Sequence, residues 1–486
     1  MSIKNNELSE LKKKAFSSMI WKMLERVGAQ SISLVVSIVI ARLLTPSDYG
    51  VVSLVTIFFS FANVLISNGF NTALIQKKDV DQTDYSTVFV ITAIFSILIY
   101  CALFLTAPAI SRLYGQPLLI PIIRIMGITI IINGVKSVVC AFVSSTLQFK
   151  KFFYATLGGT VVSGIVGIGM AVANAGAWAL VAQQMINALV DTIVLIYVTK
   201  YKFSCSFSFS RAKELFQYSW KIFVSAIINT AYNQVRPLVI GIKFSSADLS
   251  FYSKGESFPQ LITSITTDTL SAVLFPVMAK VQDDKEKLLD YTRVFMKVSS
   301  FLVFPLMLGL FAVADNLIVV VLTDKWREAS LYVKIFAISN MFSMINTGNC
   351  ETIKAMGKSD IFLIMEIIKK TLYFVIIFLF ITLSNSPEIL AISALLCTAI
   401  AIVVNTVPNR KLLGYTYKDQ VMDVLPNLII AIIMCVIVCA VGKIIGNMII
   451  ALLVQVSVGA ITYCALSILS KNENVKYVLN ILQTMR

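Results

Sequence analysis

The sequence predicts an all-α polytopic membrane protein with about fourteen transmembrane helices, and three observations predict it. The 486 residues are 57% hydrophobic and only 14% charged, with a mean hydropathy of +0.83. Apolar runs of about 20 residues, enough to cross roughly 30 Å of hydrocarbon at 1.5 Å per residue, recur from one end to the other. The basic residues gather in alternate loops, as membrane topology requires.

The first six spans are placed at 17–42, 48–70, 86–107, 118–142, 153–173 and 176–199. The next six fall at 214–239, 248–276, 291–313, 330–352, 361–383 and 387–405, and two more at 423–443 and 447–469. Loops after even-numbered spans are basic: Lys77 and Lys78, Lys150 and Lys151, Lys200 to Lys213, Lys280 to Arg293, Lys354 and Lys358, then Arg410, Lys411 and Lys418. With the two tails this side holds 24 Lys and Arg, against six on the other: Arg42, Arg112, Lys243, Lys325, Arg327 and Lys443. The bias puts both termini in the cytoplasm, which an even number of spans allows. The opening MSIKNNELSELKKKAF has no short apolar core before a small-residue cleavage site, so the first span is expected to be the insertion signal itself.

Composition narrows the chemistry. The absence of histidine removes the commonest general base and the usual nitrogen ligand for metals. Eight cysteines lie mostly inside apolar segments without CxxC spacing, so neither a disulfide framework nor a zinc site is expected. The net charge of +15 follows topology, and no nucleic-acid partner is expected.

The chain also repeats itself. IWKM at 20–23 is answered by SWKI at 219–222, PSDYG at 46–50 by SADLS at 246–250, DYSTVF at 84–89 by DYTRVF at 290–295, and IIRIM at 122–126 by YVKIF at 332–336. Six spans separate the members of each pair, so both copies enter the membrane in the same direction. The expected organisation is an N-lobe over 1–205, a C-lobe over 206–415, and two extra helices with a cytoplasmic tail over 416–486.

Eleven basic residues fall inside the spans, each costing on the order of 2.5 to 3.5 kcal/mol at mid-membrane if it met lipid. Span 1 carries Lys22, Arg26, Gln30, Ser33 and Ser37 on one helical face, and span 7 repeats the stripe with Lys221, Ser225, Asn229, Tyr232 and Arg236. Span 2 adds Ser53, Thr56, Ser60, Asn63 and Ser67, and span 8 adds Glu256, Gln260, Thr263 and Thr267. Related polar stripes in two lobes suit a shared hydrated cavity, with Lys22, Arg26, Lys136, Lys221 and Lys297 toward the cytoplasm and Arg124, Arg236, Lys254 and Lys334 toward the outside.

Bland readings stand beside these. The Ser and Thr stripe of span 2 serves helix packing equally well, and Glu25 with Lys22 and Arg26, or Glu366 with Lys369 and Lys370, reads as structural ion pairing. Lys297 is long enough to snorkel. Asp191 and Asp268 either carry a proton or sodium ion or pair with a lysine from another helix. The glycines of GGTVVSGIVGIG in span 5 read as a close-packing face.

ARLLTPSDYG, GFNTALIQKKD, LFPVMAKVQDDKEKL, LLTDKW and SDIFLIMEIIKK together resemble the Wzx-type polysaccharide flippases of the multidrug/oligosaccharidyl-lipid/polysaccharide exporter superfamily. The resemblance runs over spans 1 to 12. It implies two lobes opening alternately to each side of the bacterial inner membrane. The cargo would be a polyprenyl-diphosphate-linked oligosaccharide bound for surface polysaccharide such as O-antigen, capsule or exopolysaccharide. Lys22 and Arg26 would receive the diphosphate inside, and Arg236 and Lys254 would help it outside, with Arg124, Lys136 and Lys221 as further basic lining and Glu25, Gln30, Asn63, Asn229, Glu256 and Gln260 as polar lining. No cofactor is expected; the drive would be a proton or sodium gradient, and a polysaccharide polymerase and glycosyltransferases are candidate partners. Lipid II flippases of the superfamily carry cavity arginines on helices 1, 2 and 8, whereas span 2 here has no basic residue and span 8 offers Lys254. Drug exporters of the superfamily usually have twelve helices and cation sites. A membrane enzyme of glycan assembly is the reading from a different class, though the longest outer stretch, about 314–329, offers little to catalyse with.

Overall fold

The computed structural model describes residue 21 and residues 28–67, 70–77, 80–146, 148–383 and 386–470. Lys22, Glu25 and Arg26 lie outside the described residues. Among the described residues the regular structure is helical throughout: α1 (Gly28–Leu43), α2 (Pro46–Ser67), α3 (Phe70–Gln76), α4 (Gln82–Tyr114), α5 (Leu119–Met126), α6 (Ile128–Ser145), α7 (Phe149–Val172), α8 (Ala177–Thr199), α9 (Phe209–Lys243), α10 (Ser246–Lys280), α11 (Lys285–Leu322), α12 (Ala329–Met341), α13 (Ser343–Ala355), α14 (Ser359–Leu383), α15 (Pro387–Leu413), α16 (Tyr417–Ile444) and α17 (Met448–Leu469).

Helix is found at every expected span, and ten stretches among the described residues are long and apolar enough to cross a membrane. The fourth and tenth spans are each broken, at Gly127 and at Phe342, a parallel that strengthens the internal repeat. At Gly127 a Cβ would stand 2.7 Å from the Tyr100 ring, so the break packs closely against α4. Helices α9, α10 and α11 outrun the apolar segments that announced them, α11 reaching 38 residues or about 57 Å. Apolarity marks where lipid begins, whereas backbone hydrogen bonding carries the helix on through charged ends such as Arg211, Lys213 and Glu214. The short α3 was not expected.

The repeat is written into the helix caps. At the start of α2 the Asp48 carboxylate accepts from the Thr45 N–H and hydroxyl while the Thr45 hydroxyl accepts from the Asp48 N–H. Two hundred residues on, Ser245 and Asp248 make the same three bonds ahead of α10. Both satisfy N–H groups that the first helical turn leaves without partners.

The chain divides into two compact units between Leu249 and Ser250. In the first, α7 and α8 pair through glycines: a Cβ on Gly159 would meet Asp191 and the Asn187 backbone, and one on Gly167 would meet Gln183 and Ile40, so the small residues of α7 are a packing face as expected. The crossover 200–208 is bound to the first turns of α4. Ser86 donates to the carbonyls of Ser204 and Ser206, the Ser208 N–H donates to Thr87, and Tyr201 and Phe203 stack against Tyr85, Phe142 and Phe89. Beneath them Asp84, with no exposed surface, faces Lys77 at 3.0 Å and Arg211 at 3.7 Å. These bonds carry α9 into the first unit, where Gln234 donates to Ser60 of α2.

In the second unit Trp326, Tyr252, Tyr332 and Phe336 form an aromatic core, and Gly255 leaves room for Tyr332. Buried amides of α13, α15 and α16 bond one another, Asn349 reaching Gln420 and Asn409. α16 and α17 pack on α11 through Asn427 to Ser300 at 2.7 Å and the Tyr463 hydroxyl to the Phe301 carbonyl.

Two expectations follow. A Cβ on Gly50 would lie 1.8 Å from the Ser246 carbonyl oxygen, so Gly50→Ala forces the backbones of α2 and α10 apart; we expect a loss of about 1–3 kcal/mol or more, read as a lowered unfolding temperature of the purified protein. The Asp84 N–H holds the Asp81 carboxyl below the usual carboxylate range, so this cap contributes above the ordinary carboxylate pKa and is lost as pH falls through the lowered folded value. Asp81→Ala should therefore melt below wild type at neutral pH, with the gap closing in thermal scans taken below about pH 4.

Candidate functional site

A polar cavity of the first unit lies among α2, α6 and α8. It measures about 350 Å³ and is lined by Thr56, Ser60, Asn63, Thr129, Asn133, Lys136, Gln183, Gln184 and Asn187. A second cavity of about 370 Å³ shares Asn63, Asn133 and Lys136 and continues toward Asn71 and Ser137. Helical spacing brings these groups together: Asn133 and Lys136 are three apart on α6, and Gln183, Asn187 and Asp191 are four apart on α8.

At the wall of this cavity Lys136 forms a short ion pair with Asp191, whose other carboxylate oxygen is buried without a hydrogen-bond partner. Of the two alternatives for Asp191, pairing with a lysine from another helix is the one the structure adopts. The charge of Lys136 is thereby met inside the unit, so the cavity is lined chiefly by carboxamides and hydroxyls that both donate and accept hydrogen bonds. Asn133 already donates to Asn63 at 3.1 Å, and Asn187 to Ser163 at 3.2 Å. Such a lining suits a hydroxyl-rich ligand.

The other expected site residues fall in different settings. On α9, Lys221 and Asn229 are exposed, Lys221 lying near the Trp220 ring, while Arg236 is 5% exposed and stacks over Tyr232 at 5.3 Å. Arg124 on α5 stacks over Phe104 at 4.3 Å, and its Nε finds no acceptor. Gln30 on α1 is exposed. In the second unit Lys254 stands 6.0 Å from the Trp326 ring, Glu256 is half-buried, and Gln260 and Asp268 are exposed on α10.

Several span charges prove structural. Lys369 pairs with Glu366 one turn before it on α14, and Lys334 pairs with Asp315 at 2.6 Å. Lys297, read as a snorkelling side chain, lies 3.7 Å from Asp423, which Arg293 also approaches and to which the Tyr415 hydroxyl donates.

Asn133, Gln183, Gln184 and Asn187 were not singled out from sequence. The signal for Gln183, Gln184 and Asn187 lies in AQQMINALVD at 182–191, where polar residues return every four positions in a stripe that has no counterpart in the other lobe.

The ion pair makes a direct prediction. Removing one member strands a charge in a mostly buried position at an order of 3–5 kcal/mol, so Lys136→Gln or Asp191→Asn alone should sharply cut the yield of folded protein by fluorescence-detected size exclusion. The double variant Lys136→Gln/Asp191→Asn should recover most of it.

The comparisons agree with this architecture. A family profile described as "Polysaccharide biosynthesis protein" matches residues 39–331. The chain is 24% identical over 319 residues to the succinoglycan biosynthesis transport protein ExoT of Rhizobium meliloti, the match covering 66% of this chain and 65% of ExoT. It is 21% identical to the lipopolysaccharide biosynthesis protein WzxC of Escherichia coli over 87% of each chain. Among solved structures, the lipid II flippase MurJ in an inward closed conformation superposes with a TM-score of 0.77 over 93% of this chain and 99% of MurJ, at 13% identity. An inward-facing multidrug-resistance transporter of the MATE family matches with a TM-score of 0.64 over 83% of this chain and 99% of its own, at 12% identity. The fold is thus that of MurJ and MATE transporters, and the chain is a multi-pass membrane protein belonging to the polysaccharide biosynthesis protein family.

Proposed function

We propose that this protein translocates polyprenyl-diphosphate-linked oligosaccharide units from the cytoplasmic to the outer leaflet of the bacterial inner membrane by alternating access, for surface polysaccharide assembly. The observation that carries the proposal is the carboxamide-lined cavity of the first unit, in a chain whose family builds polysaccharide. A glycan crossing a bilayer must exchange its hydrogen bonds with water for others of similar number, and Asn63, Asn133, Gln183, Gln184 and Asn187 offer carboxamides for that exchange.

The diphosphate asks for cations. Arg124, Arg236 and Lys254 each lie within 6.0 Å of an aromatic ring, whose face attracts a cation, and are the proposed basic groups of the outer half. Lys22 and Arg26 remain the proposed receivers on the cytoplasmic side, and Lys221 is proposed as a further basic group there. Lys136 takes part only if its pair with Asp191 opens. A proton or sodium gradient is the proposed drive, with Asp191 and Asp268 as the candidate carriers, and the work available is about 2.3 kcal/mol per charge per 100 mV. A polymerase and glycosyltransferases of the same glycan are the proposed neighbours. The reading is of a transporter, not an enzyme.

Deleting the gene and quantifying lipid-linked oligosaccharide and surface glycan tests the proposal. Complete units should accumulate on the cytoplasmic leaflet while surface polymer is lost. Wild-type protein should reverse both effects and the well-expressed Arg26→Gln/Arg236→Gln variant should not. Units reaching the outer leaflet with only chain length or decoration altered would sink the flippase reading in favour of a glycan-assembly enzyme.

A further inference from the structure

The first unit carries an apolar furrow of about 410 Å³ among α2, α3, α4 and the N-terminal half of α9. Its walls are chiefly aromatic, including Phe70, Phe95, Phe209, Phe216 and Phe223, and Lys213 stands at its edge. The furrow is open: Phe209 is 76% exposed, Phe216 53% and Phe95 48%.

One helix makes both this surface and a polar one. On α9 the furrow residues Phe209, Ala212, Phe216, Ser219 and Phe223 follow at intervals of three and four, a single face, while Lys221, Ser225 and Asn229 lie exposed on the opposite face. The cations beside the furrow are already engaged, Lys77 with Asp84 and Glu214, and Arg211 with Asp81 and Asp84. Among the described residues Lys213 pairs with no carboxylate, and it is an exposed residue at the furrow's edge, on the side that the distribution of basic loops makes cytoplasmic. An aromatic slot with one cation at its rim, on a helix whose other face is polar, fits an amphiphile with a long hydrocarbon chain and a phosphate head.

We propose that this furrow holds the polyprenyl chain of the lipid-linked substrate in the cytoplasmic leaflet, its phosphate end drawn to Lys213, so that the head group is presented to the polar side of α9. The inference rests on the flippase reading and adds to it a docking place for the tail within the first unit. The chain gains by leaving lipid only through contact and shape, since lipid is as apolar as the furrow; specificity therefore comes from Lys213 and from the fit against the phenylalanines.

The test uses the full-length protein purified in detergent and native mass spectrometry with polyprenyl phosphate as probe. Wild type should retain polyprenyl phosphate in preference to phosphatidylglycerol. Ala212→Trp, which fills the furrow, should lower retention about tenfold, Lys213→Gln should lower it less, and Val436→Trp on an exposed face of α16 should leave it unchanged. Phe209→Ser, at a highly exposed position, gives the same reading if Ala212→Trp does not fold. Equal retention by the furrow variants and wild type, no retention by wild type, or displacement by equimolar phosphatidylglycerol overturns the proposal. None of these results touches the flippase reading, which is judged by the leaflet in which lipid-linked units accumulate in the deletion strain.

Discussion

A charge carried into hydrocarbon has to be met within reach of its own side chain, and that requirement organises this chain more than any other. Lys136 finds Asp191, Lys369 finds Glu366, Lys334 finds Asp315, and Arg293 and Lys297 converge on Asp423. Each of these except the pair on α14 also ties two helices together, so the same contacts that remove the cost of a buried ion set which helices are neighbours. Arg124, Arg236 and Lys254 each also have an aromatic ring near the cation, a further favourable contact for a basic group.

The same logic explains why α9 belongs with the first unit. The crossover 200–208 is held because Tyr201 and Phe203 pack against Tyr85, Phe142 and Phe89, Ser86, Thr87 and Gln82 answer its carbonyls and N–H groups, and Asp84 gathers Lys77 and Arg211. With that anchor in place, the apolar half of α9 is laid against α3 and α4, leaving a furrow on one face and exposing a polar stripe on the other.

Much of this was legible in the letters. Span positions follow from apolar run length, which lipid dictates directly, and the repeat was visible at PSDYG and SADLS before the caps confirmed it. The glycine face of α7 was readable for the same reason, since small residues at helical spacing have one common use in a bundle. Pairings were harder. Asp191 has no basic residue one helical turn away on α8, and its partner Lys136 lies 55 positions earlier, a separation that only packing resolves. The breaks at Gly127 and Phe342 were hidden because an apolar run interrupted at one residue is as hydrophobic as an unbroken one. The amide cavity was missed because its stripe has no counterpart in the other repeat.

The matched caps at Thr45/Asp48 and Ser245/Asp248 also say something about the chain's history. Between the two copies nearly every neighbouring letter has changed, and even the hydroxyl has switched between threonine and serine, yet all three hydrogen bonds stand in the same places. A duplicated ancestor would drift freely wherever lipid accepts any apolar side chain and would be held where a bare helix end must be answered. Bond patterns at helix starts should therefore outlast sequence similarity as a record of duplication, and they offer a way to recognise paired halves in membrane proteins whose letters no longer align.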